Sequence, residues 1–163
     1  MAVILTATTK KAYSFPADSL LVRLTMKNTH VSKFEDLALA LEIQSRSKSP
    51  VLMPKYLDWG VLNDSMGTGY ISIQVQKKEK DGYKNIRLYG NIDNLPSEGR
   101  TDTLAFDHIK KDEFSLGGSF KSEKGEYRVR VLCFASKNNK DLNDVYSNWV
   151  DFRCLKDIRR GKG

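Results

Sequence analysis

Strict alternation of apolar and polar residues is the strongest signal in the chain. Over residues 19–27, Leu20, Val22, Leu24 and Met26 interleave with Leu21, Arg23, Thr25 and Lys27, the period of a strand with one buried face. The same period returns in 70–76, where Ile71, Ile73 and Val75 face Tyr70, Ser72, Gln74 and Gln76. Asp81-Gly82 then supplies a hairpin turn, and 83–92 runs back with Ile86 and Leu88 at apolar positions. The longest run is 125–135. Tyr127, Val129, Val131, Cys133 and Ala135 share one face, and Arg128, Arg130, Leu132 and Phe134 share the other. A polar turn follows, and 145–154 returns as the second strand of a C-terminal hairpin.

Shorter segments fill the spaces between. Residues 3–7 suit an edge strand, and Asn28-Thr29-His30 ends the strand that begins near Ser19. Residues 32–46 fit two periods: Ser32 and Glu35 form a capping-box pattern ahead of a helical face of Phe34, Leu37, Ala38 and Leu41. Leu37, Leu39, Leu41 and Ile43 also alternate as a strand does. A Ser-rich turn and the short apolar run 51–53 follow, so a strand preceded by one helical turn is the favoured expectation. Residues 56–60 and 67–69 read as loops, and 104–109 as a short apolar piece. Many short strands between turn signals, with at most one short helix, predict an all-β fold, an antiparallel β-sandwich. A single domain over 1–155 with a basic tail over 156–163 is expected.

The closing hairpin, Gly125-x-Tyr127-x-Val129-x-Val131 followed by Ser147-Asn148-Trp149-Val150-x-Phe152, resembles the last two strands of immunoglobulin-like and fibronectin-III-like domains. The resemblance implies an immunoglobulin-like sandwich and a tyrosine, here Tyr127, bonded back to the corner before it. The paired cysteines of antibody domains are absent, because nothing upstream can meet Cys133. With the loop centred near residues 140–141, Cys154 lies opposite Tyr127. That is six positions from Cys133, or roughly 20 Å along a strand. A disulfide needs Cα atoms within about 7 Å, so two free thiols are expected.

Composition narrows the function classes. The 163 residues are 40% hydrophobic and 29% charged, as in ordinary globular domains, with no run near the ~20 apolar residues of a membrane-spanning helix. The N-terminus has too short an apolar run and no basic flank for a secretory signal, and the sequence leaves the compartment open. A net charge of +7 raises a polyanion or nucleic acid as partner. Lys77, Lys78 and Lys80, with Arg159, Arg160 and Lys162 of the tail, are the residues that would serve it. Glu79 interrupts the first group, and acids follow Lys110-Lys111, so solvated turns and a tail are the plainer expectation.

Catalytic patterns are missing. His30 and His108 stand alone, without metal-ligand spacing. Asp141, Asn143 and Asp144 lack the glycine and distal glutamate of a calcium loop, and Gly67-Thr68-Gly69 lacks the context of a phosphate loop. No Gly-x-Ser-x-Gly elbow occurs, and Glu35-Asp36 and Asp112-Glu113 fall in turn-like segments. The expectation is therefore no enzyme, no metal and no cofactor. What remains is a binding or accessory module that engages a protein, or a carbohydrate, through its loops. Tyr56 and Trp59 would be the anchors there. A polyanion binder and a structural subunit of a virion or other assembly are the alternatives. Trp149 is expected beside Arg128 or Arg130 as a cation–π rung on the outer sheet surface.

Overall fold

Burial follows the alternation. A computed structural model describes residues 20–54, 59–61, 71–86, 101–116, 120–133 and 145–156, and the following elements are those of the described residues. In chain order they are β1 (Leu20–Met26), β2 (His30–Val31), a 3-10 turn (Phe34–Asp36), β3 (Leu39–Ser45), β4 (Val51–Pro54), β5 (Trp59–Val61) and β6 (Ile71–Glu79). Then come β7 (Gly82–Asn85), β8 (Thr101–Leu104), β9 (Ile109–Phe114), β10 (Gly125–Cys133), β11 (Val145–Tyr146) and β12 (Val150–Cys154).

The strands form an all-β, sandwich-like arrangement of mainly antiparallel sheets. A small sheet runs β1-β3-β9, and a large one runs β2-β12-β10-β6-β5, with β11 also paired to β10 and β7 to β6. β4 and β8 make a separate pair. Leu20, Val22 and Leu24 of β1 and Leu39, Leu41 and Ile43 of β3 belong to the same buried cluster as Ile73, Val75, Tyr127, Val129, Val131, Phe152 and Cys154 of the large sheet. Leu41, Ile43, Val129 and Val131 are at 0% exposure. Full burial of such side chains contributes about 1.5–3 kcal/mol each. The ambiguous segment resolves as expected: a single 3-10 turn, then a strand with Leu39, Leu41 and Ile43 inward.

Several local expectations are corrected. No side-chain cap forms at the 3-10 turn; its N-cap is Lys33, whose Nζ bonds Glu35 at 2.9 Å, so the Ser32–Glu35 capping box is not made. His30 does not merely end β1: with Val31 it pairs in parallel with Arg153 and Cys154. Trp59-Gly60 is not loop but part of β5, parallel to β6. The β6–β7 turn falls at Lys80-Asp81, because Gly82, at φ 120, takes the left-handed bend that opens the return strand. The piece 104–109 contains a turn: His108 N bonds Ala105 O at 3.1 Å, Asp107 has φ 62, and Phe106 is exposed. Asp112 and Glu113 lie inside β9. Residues 3–7, 67–69, Leu88, the group Asp141, Asn143 and Asp144, and most of the 156–163 tail lie outside the described residues.

The hairpin register also differs from the expected one. Cys154 lies opposite Gly125, and Tyr127 opposite Phe152. Nearer the loop the pairing shifts by one, Leu132 facing Tyr146 while Val129 faces Val150, so residues 147–149 oppose only 130–131. That extra residue is a β-bulge. Eight residues now separate the position opposite Cys154 from Cys133, roughly 26 Å, so a bridge between them is excluded by a wider margin. Cys154 is buried and in no disulfide, its Sγ within 3.4 Å of Ser32 O.

Candidate functional site

The bulge places three consecutive side chains in three different settings. Ser147 faces β10: its N donates to Val131 O at 2.8 Å and its Oγ accepts from Val131 N at 2.9 Å, replacing the carbonyl that the bulge removes. Asn148 reaches the other sheet, where its Oδ1 accepts from Leu24 N and its Nδ2 donates to Leu24 O, both at 3.0 Å. A carboxamide presents the same donor and acceptor as a peptide group, so Asn148 occupies part of the β1 edge that no described strand pairs, as a strand would. Trp149 is left on the outer face of the large sheet.

There it joins a ladder of alternating rings and cations. Arg128 lies 4.0 Å from the Tyr83 ring and 4.2 Å from the Trp149 ring. Arg130 lies 4.4 Å from Trp149 and 4.0 Å from Tyr146. The expected rung at Trp149 is therefore shared by both arginines, and Tyr83 and Tyr146 close the two ends. Each guanidinium is also fixed within its plane. Arg128 Nε donates to Gln76 Oε1 and Arg130 Nε to Gln74 Oε1, both at 2.7 Å. Both glutamine amides in turn donate to Asn85 Oδ1, at 2.8 Å from Gln76 and 3.0 Å from Gln74. Register makes this possible, because Gln76 faces Arg128 and Gln74 faces Arg130 across β6 and β10, while Asn85 faces Gln76 from β7.

Among the described residues, stacking and tethering leave the terminal nitrogens of both arginines without a hydrogen-bond partner. Among the described residues neither guanidinium has a carboxylate within 4 Å. The row beside them is different: Glu126 accepts from Lys78 at 2.9 Å and from Arg153. Its carboxyl is held below the usual range by the hydrogen bond from Lys78, then that from Arg153, and the Lys78 ammonium is correspondingly raised by Glu126.

The residues singled out from sequence fall apart spatially. Lys77 and Lys78 point to opposite faces of β6, as period two requires. Lys77 bonds Glu123 at 3.0 Å, which raises its ammonium above the ordinary value and lowers the Glu123 carboxyl. Lys80 sits exposed in the turn. Arg159, Arg160 and Lys162 lie outside the described residues, as do Tyr56 and the side chain of Trp59. His30, on the exposed side of β2, is within 3.2 Å of Thr29 Oγ1 through its Nδ1. No group of three or more metal-ligating side chains occurs among the described residues, and no helix among them is long and apolar enough to cross a membrane.

Sequence reasoning missed Gln74, Gln76, Asn85, Tyr83 and Tyr146 as members of this face. The available signal was parity: Gln74 and Gln76 alternate outward on one strand, as Arg128 and Arg130 do on another. No family model matches the chain, and no curated protein matches it.

Proposed function

We propose that the chain is a non-catalytic binding module, an immunoglobulin-like sandwich that engages a protein partner on the outer face of its large sheet. The observation that carries this is the ladder: two arginines fixed between three aromatic rings, with their terminal nitrogens lacking a carboxylate partner among the described residues. Arginine and large aromatic side chains dominate the energetics of protein interfaces, and fixing them beforehand lowers the entropic cost of binding. Guanidinium, carboxamide and aromatic groups recognise charge and shape and do not exchange protons near neutral pH, which suits binding rather than acid–base chemistry.

Three features support the immunoglobulin-like part of the reading. Tyr127 Oη donates to Glu123 O at 2.8 Å, the corner bond of such domains. The chain passes from β1 in the small sheet to β2 beside the last strand of the large one. The penultimate and last strands pair as the closing hairpin. The polyanion alternative draws less support, because Glu123 and Glu126 already hold Lys77 and Lys78.

The test immobilises the full chain and an Arg128→Gln/Arg130→Gln double variant in an extract of the organism that makes it. A protein retained by the first and lost from a folded second is expected. Equal retention by both, or turnover of a substrate by the purified chain, contradicts the reading.

A further inference from the structure

Two aromatic rings lie within 4.4 Å of each guanidinium carbon, which favours approach of a ligand to Arg128 or Arg130 in the guanidinium plane. The Nε positions are taken by Gln76 and Gln74, which leaves the paired Nη donors. That edge matches a planar, two-oxygen acceptor, and a carboxylate accepts it with two parallel bonds. Arg128 and Arg130 stand two residues apart on one strand, about 7 Å, and an extended peptide sets alternate side chains on one side at the same interval.

The charges around this pair favour a short acceptor over a long polyanion. Lys78 and Arg153 on the same face already share Glu126, and Asp151 stands opposite Arg128 in the register. Among the described residues this face thus sets Lys78, Arg128, Arg130 and Arg153 against Glu126 and Asp151, a small excess of positive charge, whereas polyanion binding draws on many phosphate contacts along a continuous basic surface. The rings of Tyr83, Trp149 and Tyr146 supply apolar area beside each guanidinium. Tyr146, at 42% exposure, offers the most.

From this we infer that the outer face of the large sheet takes an extended acidic peptide segment of the partner, with carboxylates at alternate positions seated on Arg128 and Arg130. The inference rests on the proposal that this face is the binding surface, and it adds the chemistry of what binds.

Calorimetric titration of the full chain at low salt tests it. The probes are a peptide of alternating glutamate and threonine, its glutamine counterpart, a single-stranded oligonucleotide and a sulfated oligosaccharide. The glutamate peptide is expected to bind saturably and about tenfold or more tightly than the glutamine peptide, the size of one lost charge-assisted pair. Arg128→Gln and Arg130→Gln should each weaken it about tenfold, and Lys48→Gln, in the distant turn after β3, should leave it unchanged. The glutamine peptide keeps the test decisive even if an arginine variant fails to fold. Equal affinity for the two peptides, or no saturable binding of either, overturns the inference. Tighter binding of the oligonucleotide or oligosaccharide, abolished by the arginine variants, also overturns it and assigns the face to a polyanion. If the protein retained from extract is lost from the double variant while no acidic peptide binds, the face stands and only its chemistry falls.

Discussion

The Tyr127 hydroxyl donates to Glu123 O at 2.8 Å, while its ring stacks on Phe152 at 5.3 Å and meets Phe34 edge-on at 5.0 Å. Burial pushes the phenol above its ordinary pKa, so the donor keeps its proton throughout the physiological range. Tyr127→Phe retains the ring contacts and removes only the hydrogen bond. It should cost about 1 kcal/mol in urea unfolding; a loss below about 0.3 kcal/mol would show that water replaces the bond at no cost. The position of this tyrosine was legible in the sequence, because Gly-x-Tyr-x-Val-x-Val places it inward at the start of a strand. The rings that enclose it were not, since Phe34 comes from a 3-10 turn nearly a hundred residues earlier.

Among the elements, the long alternating strands were legible and the short ones were not. β1, β6 and β10 bury one face, so their period of two is imprinted in the sequence. β2 and β5 span two and three residues, too few to carry a period, and their parallel pairing is decided by partners distant in sequence. Register was equally hidden, because the bulge at 147–149 shifts the pairing by one. Rows of charge across strands follow from that register, and Lys78–Glu126–Arg153 is one. The Glu126 carboxyl is held below its unfolded value of about 4.3, so its contribution is present above that pH and is lost as pH falls through the folded value. Glu123 and Glu42 are lowered too, chiefly by hydrogen bonds from Lys77 and Lys111. The urea midpoint should therefore fall below about pH 4, and Glu126→Gln should flatten part of that fall. These groups are solvent-exposed, so added salt should shrink the difference. A variant with an acid limb identical to that of the parent chain would contradict the role given to this row.

At the scale of the whole molecule, Asn148 ties the large sheet to the edge of the small one through Leu24, next in sequence to the tryptophan that both ladder arginines share. Asn148→Ala removes both bonds and should cost about 1–3 kcal/mol. Asn148→Asp keeps the acceptor for Leu24 N but sets a carboxylate against Leu24 O, so it should also destabilise. Hydrogen exchange of the Leu24 amide separates this lock from general loosening: it should quicken in Asn148→Ala, and an unchanged rate would remove the lock. The ladder was half legible. Alternation put Arg128, Arg130 and Trp149 on one outer surface, but Tyr83, Tyr146 and the glutamine tethers depend on how four strands align, which no local pattern encodes.

The central claim is that Arg128 and Arg130 form a fixed, ring-stacked binding edge, and side-chain NMR of the arginine Nε–H groups tests it most directly. Two resonances should stand apart from the others, displaced by the ring currents of Tyr83, Trp149 and Tyr146 and slow to exchange through their glutamine bonds. Trp149→Ala should move both at once, and the glutamate–threonine peptide should shift both on binding. Arginine signals all at solvent-exposed positions, unmoved by Trp149→Ala and by the peptide, would contradict the account.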